Sequence, residues 1–166
     1  MSSTQISLAV RMAVTAWQSQ NTRVDKLIDG LSDDVLKNEI APGKNTGIYL
    51  FGHLIAVNDG LLPLFGIGDK LYPELDELFL KNPDKQGRTY PAVETLKKYW
   101  KAVNDKLNEK FTAFTTDDWF GKHTSVSAED FAKEPHRNKL NVLLNRTSHQ
   151  SYHLGQMILL TKKDND

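Results

Sequence analysis

Four long segments of the chain place apolar residues three and four positions apart, which is the spacing of an amphipathic helix. Two long polar stretches separate them, and alternating β patterns are scarce. Helices with one apolar stripe each must bury those stripes against one another. The sequence therefore predicts an all-α fold, a four-helix bundle in a single domain of residues 1–166, with helices over about residues 5–30, 45–63, 91–115 and 138–162.

Residues with strong positional preferences mark the ends of the second and third helices. Asn45 and Thr46 are good cap residues for the start of the second helix. We expect that helix to end near Pro63, because proline is poorly tolerated in a helix interior. Pro91 suits the first turn of the third helix.

The sequences of the two long connections predict different local structures. Residues 65–90 are rich in glycine, proline and charged residues, and we interpret them as a long crossover between helices 2 and 3 with a short helix over about residues 73–80. Residues 116–137 are interpreted as irregular. Within them, Ser127 and Asp130 have the spacing of a capping box, with aspartate in place of the usual glutamate.

Charge and cysteine content narrow the function classes. Lys+Arg and Asp+Glu both number 21, so the chain has no net charge and no basic stripe of the kind that nucleic-acid binding needs. The chain has no cysteine, which excludes a thiolate nucleophile, a zinc finger and an iron–sulfur site. We find no apolar run of about 18 residues and no signal peptide pattern, so we expect a soluble cytoplasmic protein without a membrane span.

His149 and His153 are the first candidate metal ligands. They are four residues apart in the last helical segment, so they lie on one face with Cβ atoms about 5–6 Å apart. Two imidazoles at that spacing can bind one ion at about 2.0–2.1 Å from each nitrogen. The same pattern also fits two partly exposed or hydrogen-bonded histidines at the edge of a bundle.

His53 is the third candidate, because it interrupts an otherwise apolar helix in which an unpaired polar ring would be costly. A hydrogen bond could satisfy it, but together with the pair on the last helix it predicts a three-histidine site. Three imidazoles leave coordination positions open for water or substrate, which is typical of a catalytic site. His123 and His136 lie in polar stretches, and we interpret them as surface residues.

The residues around these histidines resemble a known family. The last helix contains the motif Asn145-x-x-x-His149-x-x-x-His153-x-Gly155-Gln156, which resembles the last-helix signature of the DinB-like family of damage-inducible helical metal proteins. The sequence Gly-His-Leu around His53 resembles the second-helix histidine of that family. The resemblance covers nearly the whole chain and is most specific over residues 143–157.

The resemblance implies more than spacing does. It implies a four-helix bundle with a long crossover, one divalent ion in a cleft at one end of the bundle, usually zinc or nickel, and a homodimer. Characterised relatives include transferases and an isomerase that depend on a low-molecular-weight thiol, and other members are regarded as metal-dependent hydrolases. Many members have no known activity.

Two hypotheses for the function follow. The first is a metal-dependent enzyme that acts on a small molecule, as a thiol transferase or a hydrolase, with the ion as Lewis acid. The second is a non-catalytic, metal-stabilised module for binding or dimerisation. The catalytic residues stay unknown, because no carboxylate clearly accompanies His53, although Glu74, Asp76 and Glu77 could fold over the site from the crossover. The polar residues nearest to the histidines by helical spacing are Tyr49, Asn145, Tyr152 and Gln156.

Overall fold

The computed structural model describes residues 2–165, with the side chains of residues 2–161. The two ends of the predicted domain, Met1 and Asp166, lie outside this range. The secondary structure of the described residues is helical, and pairing between extended segments is limited to two isolated bridges. The all-α class is therefore confirmed, with helices α1 (Ser3–Asp29), α2 (Asp33–Leu36), α3 (Gly47–Asp59), α4 (Leu61–Phe65), α5 (Leu75–Phe79), α6 (Val93–Ala113), α7 (Thr116–Phe120), α8 (Ala128–Lys133) and α9 (Lys139–Met157), followed by a 3₁₀ helix (Ile158–Asn165).

The start of α3 is fixed by its cap. The Thr46 hydroxyl accepts a hydrogen bond from the backbone N–H of Tyr49, as expected for a threonine at this position. The backbone N–H and the hydroxyl of Thr46 both donate to the carboxylate of Asp84, at 2.6 and 2.9 Å. The cap therefore also ties the start of α3 to the segment that precedes α6.

The predicted end of the second helix near Pro63 is wrong in detail. The chain breaks earlier, at Gly60, and then forms a second short helix, α4, that contains Pro63. The break places Pro63 in the first turn of α4, where the missing N–H has no intrahelical partner to lose. The stop lies after Phe65, where Gly66 adopts φ 68°, a left-handed conformation that glycine adopts at low cost.

The two connections contain more helix than the sequence pattern showed. The short helix predicted over residues 73–80 is confirmed as α5. The prediction that residues 116–137 are irregular is wrong, because α7 and α8 lie within them. Each begins at a side-chain cap, Thr115 for α7 and Ser127 for α8, and these caps stabilise helices too short to show an apolar period.

The core is built around α3. This helix packs against α5, α6 and α9, and α9 also packs against α1. Over residues Gly47–Phe65 the chain is long and apolar enough to cross a membrane by length and composition, with a mean hydropathy of 1.4, although His53, Asn58 and Asp59 interrupt the apolar residues. In the structure 72% of this window is buried inside the protein. That burial is what a core helix requires.

Four buried carboxamide side chains meet inside this core, one from each of α1, α3, α6 and α9. Gln150 donates to Asn21 at 2.7 Å, and Asn58 donates to Asn104 at 3.1 Å. Longer contacts of 3.4 Å link Asn21 to Asn104 and Asn58 to Gln150. All four residues are at most 6% exposed. We call this group the amide network.

Candidate metal centre

The three predicted histidines converge on one point in the structure. The Nε2 atom of His149 lies 3.2 Å from Nε2 of His53 and 3.1 Å from Nε2 of His153. One ligand atom from each residue lies within 4.8 Å of the other two. Ligand atoms that lie about 2.0–2.1 Å from one ion in a tetrahedral arrangement are about 3.3–3.4 Å from each other. The observed distances between the Nε2 atoms are close to this value.

Two of the three outer nitrogens contact acceptors that fix the tautomer. Nδ1 of His53 lies 2.9 Å from the backbone carbonyl of Phe79, and Nδ1 of His153 lies 2.8 Å from Oε1 of Gln156. Both partners can only accept, so Nδ1 carries the proton in each ring. Nε2 of each ring then presents a lone pair toward Nε2 of His149.

His149 has a different environment, because its Nδ1 is buried without a hydrogen-bond partner. A proton on Nε2 of His149 could be shared with the two facing lone pairs and would make Nδ1 a buried, unpaired acceptor. If Nε2 binds an ion, Nδ1 carries the proton and is a buried, unpaired donor, so this atom lacks a partner in either tautomer. An ion on the three Nε2 atoms would pair all the converging lone pairs at once. The donor set therefore fits a divalent transition metal with imidazole ligands.

The electrostatics of the centre keep the histidines neutral. Burial lowers the pKa of His149 to about 4, with further contributions from His153, His53 and Arg146. Burial also lowers the pKa of His53 and that of His153, although the hydrogen bonds to Phe79 and Gln156 oppose the effect. Neutral imidazole is the form that binds a metal ion, and in His53 and His153 the proton lies on Nδ1, so neither of these rings must lose a proton from Nε2 near pH 7.

Helix geometry brings these side chains together. His149 and His153 are one turn apart on α9, and His53 faces them from α3. Gly52 allows the ring of Phe79 to pack directly on the α3 backbone, since a Cβ atom there would overlap that ring. This close contact places α5, and with it the carbonyl of Phe79, beside His53.

The four residues proposed to support the histidines have different surroundings. Gln156 bonds His153 directly and donates from Nε2 to the hydroxyl of Tyr152 at 3.1 Å. Tyr152 is 62% exposed, with its ring against that of His153. Tyr49 stacks on His53, but its hydroxyl donates to the backbone carbonyl of Asn82 at 2.8 Å. Asn145 is exposed and its amide lies 3.5 Å from that of Asn141.

Other titratable residues singled out in the sequence lie elsewhere. Asp76 forms an ion pair with Lys70 at 2.5 Å, and Glu77 interacts with Lys81 and Arg88. His136 is exposed, and His123 accepts a hydrogen bond from the backbone of Ser125. Within the described residues, the cluster of potential metal ligands consists of the three histidines alone.

Two groups at the centre were missed by the sequence interpretation. The carbonyl of Phe79 leaves no trace in a sequence, because every residue carries one. Arg146 did leave a signal, since it precedes His149 by three residues and therefore lies on the same face of α9. Its positive charge lowers the pKa of His53 and that of His149.

The comparisons with known proteins identify the family of the chain. No curated protein matches the chain. The family model described as the DinB superfamily matches residues 16–157, a range that contains all three histidines and most of the chain. The chain therefore belongs to the DinB superfamily.

Proposed function

We propose that the chain binds one divalent transition-metal ion through His53, His149 and His153, and that it is a metal-dependent enzyme acting on a small molecule. The convergence of three Nε2 atoms at 3.1 and 3.2 Å carries this proposal. Lone pairs at that distance repel one another unless a cation or a proton lies between them. Family membership and the neutral state of the histidines support the same conclusion.

Zinc or nickel suits this site best. The ligands are nitrogen atoms of intermediate softness, and the chain has no cysteine that would select a softer ion. Both metals bind strongly to imidazole, and zinc accepts a tetrahedral site in which three positions are protein nitrogens. The fourth position would be left for a water molecule or a substrate.

The chemistry of the ion would be that of a Lewis acid toward a bound water molecule or thiol. A transferase would need a thiol from a low-molecular-weight cofactor, because the chain has no cysteine of its own. A hydrolase would use water. The Phe79 carbonyl and the Gln156 side chain would contribute by fixing the tautomers of His53 and His153, and burial would contribute by keeping the three imidazoles neutral.

A structural role is the second candidate function, and one observation favours it. The three ligands come from two helices, His53 from α3 and the other two from α9, so a bound ion would link those helices. In this hypothesis the protein is a non-catalytic binding or dimerisation module. The part exposure of all three histidines favours the enzyme instead, because an ion there can be reached from outside.

We also propose that α1, α3, α6 and α9 form a four-helix bundle with a crossover between α3 and α6, and that the protein is a cytoplasmic homodimer. The packing of α3 against α6 and α9 and of α1 against α9 supports the bundle. Exposed apolar side chains on two adjacent helices support the dimer, among them Leu8 and Met12 on α1 and Leu144 on α9. The zero net charge supports a small molecule as the partner in place of nucleic acid.

The test is metal analysis of protein purified without chelators or a histidine tag, beside His153→Ala and the control His123→Ala. We expect one zinc or nickel ion per chain in the wild type and in the control, and none in His153→Ala. Failure of the wild type to bind zinc, nickel, cobalt or manganese at micromolar concentration would overturn the site. Turnover of thiol-transfer or ester substrates by the loaded protein, absent from His153→Ala, would separate the enzyme from the structural module.

A further inference from the structure

Arg146 is part of the centre by its position on α9. It precedes His149 by three residues and His153 by seven. Positions separated by three and seven residues lie on one face of an α-helix. The charge of Arg146 lowers the pKa of His53, which lies on α3, as well as that of His149 on its own helix.

Arg146 has no acidic partner among the described side chains, although it is partly buried. Its Nε atom is enclosed by the protein, and no group accepts a hydrogen bond from it. Arg88 and Arg137, in contrast, each pair with a glutamate, at 3.5 and 3.1 Å. Burial of an unpaired charge is costly, so the position of Arg146 calls for an anion that these residues do not supply.

The centre as a whole has the same imbalance of charge. Among the described residues, no carboxylate shifts the pKa of His53, His149 or His153; the charges that do so are Arg146 and the histidines themselves. Three neutral imidazoles would leave the charge of a divalent ion uncompensated. Arg146 would add a further positive charge, so an anionic ligand would be attracted to both.

We propose that this centre takes a small anionic molecule whose carboxylate pairs with Arg146 while a second donor atom of the same molecule reaches the metal ion. The inference rests on the proposed metal site and names the substrate class for it. A carboxylate fits because a planar guanidinium can donate two parallel hydrogen bonds to it. Arg146 is partly exposed, and among the described residues no hydrogen bond or ion pair occupies its Nη atoms, so they can form such a pair.

The experiment uses the full-length protein loaded with cobalt(II), whose sulfur-to-cobalt absorption band reports a thiol on the metal. The probes are mercaptoacetate, 3-mercaptopropionate and 4-mercaptobutyrate, each compared with its own neutral amide. Each acid and its amide have the same metal-binding sulfur atom and nearly the same size. They differ in the charge of the group at the other end of the molecule. The three lengths place the carboxylate at three different distances from the metal-bound sulfur.

In the wild type we expect at least one acid to bind about tenfold or more tightly than its amide, because a partly buried, charge-assisted pair with arginine is lost in the amide. Arg146→Gln should weaken the acid selectively and leave the amide unchanged. Arg146→Lys should give an intermediate preference, since it keeps the charge and loses the planar fork.

An equal affinity for acids and amides, or an acid preference that Arg146→Gln leaves intact, would overturn the inference. Unchanged amide binding in both variants shows that they are folded and loaded. Failure of cobalt itself to bind is a different result, because it removes the proposed metal site before any probe is added. The two failures are thus separated by the cobalt spectrum without thiol.

Discussion

The outer nitrogen of His153 depends on one side chain, Gln156, which accepts its proton at 2.8 Å. We expect Gln156→Leu to raise the zinc dissociation constant by about 10–100-fold, because the ring loses the partner that holds its tautomer and orientation. Competition with a chromogenic zinc chelator measures this constant.

Tyr152→Phe is the matched control for this substitution. It removes the hydroxyl that contacts Gln156 at 3.1 Å, while the bond from Gln156 to His153 stays in place. We expect a change in zinc affinity within about twofold, as for most exposed positions. Equal losses in the two variants would show that the phenol, through Gln156, holds the ring.

The metal-free protein should lose stability as the pH falls from about 6.5 to about 4. Burial lowers the pKa of His149 to about 4 in the folded state, whereas the unfolded chain has a value near 6.5. In that interval the unfolded state binds a proton that the folded state does not, so acidification favours unfolding; above it both forms are neutral. His53 and His153 shift in the same direction.

Urea unfolding of the metal-free protein at several pH values measures this dependence. His149→Asn should show a smaller loss of stability between pH about 6.5 and 5, where most carboxylates are still ionised in both states. A pH dependence identical to that of the wild type would contradict the prediction.

At the scale of the residue, the sequence predicts those parts of the centre that depend on side-chain type and on spacing along a helix. The convergence of His53, His149 and His153 was predicted because four-residue spacing fixes a helix face and a lone polar ring in an apolar helix needs a partner. Gln156 was found by the same reasoning. Arg146 could have been found in this way, but the carbonyl of Phe79 could not, because its position depends on how a connecting segment folds back.

At the scale of the element, the contact between Gly52 of α3 and Phe79 of α5 sets the position of the site. The ring of Phe79 is fully buried and packs against Tyr49 and Tyr90, so it has no room to retreat. We expect Gly52→Ala to lower the free energy of unfolding by about 1–3 kcal/mol, the usual cost of overpacking. It should also weaken zinc binding, because the Phe79 carbonyl would move away from His53.

Gly155→Ala provides the control, since this glycine is also helical and lies near the site. A Cβ atom there would meet nothing within 4 Å. We expect a gain in stability of up to about 1 kcal/mol from helix propensity, with unchanged zinc affinity. Chemical denaturation and zinc titration of both variants give the comparison, and a stable, fully binding Gly52→Ala protein would contradict the argument.

The long helices were predicted from their apolar period, but several short elements were not. An apolar period needs three or four turns to be recognised, and α7 and α8 have five and six residues. Their N-terminal caps, Thr115 and Ser127, were the available signal. The break at Gly60 was missed because Pro63 is the stronger breaker, although a proline that follows a break can belong to the next helix.

At the scale of the whole molecule, the amide network joins α1, α3, α6 and α9 through polar contacts inside the core. We expect Gln150→Leu to lower the free energy of unfolding by about 1–3 kcal/mol. Asn21 loses a hydrogen-bond donor at 2.7 Å and Asn58 loses an acceptor at 3.4 Å, while both asparagines stay buried. Urea unfolding of the metal-free protein measures the change without a contribution from metal binding.

Gln18→Leu is the control, because Gln18 makes an exposed amide contact with Asn108 between α1 and α6. Its effect should stay within about 0.5 kcal/mol. A similarly small effect of Gln150→Leu would mean that an apolar side chain fills the same space without loss.

The amide network could not be predicted from the sequence. Asn21, Asn58, Asn104 and Gln150 lie on different helices, and the hydrogen bonds among them depend on how four elements align. An isolated asparagine in a helical pattern is indistinguishable from a surface residue. Apolar patterning therefore predicts that helices pack and leaves their alignment to contacts that only the folded chain contains.

The acceptor that fixes the tautomer of His53 is a main-chain carbonyl, so no substitution at position 79 can delete it. Natural selection for this contact would act on the backbone conformation at residue 79. It would also constrain Gly52 on α3, because a Cβ atom there would overlap the ring of Phe79. A search of relatives for a polar partner that changes together with His53 would then find none. A design that transfers the centre into another helical scaffold must reproduce the backbone conformation beside His53. Any amino acid that adopts this conformation can supply the carbonyl.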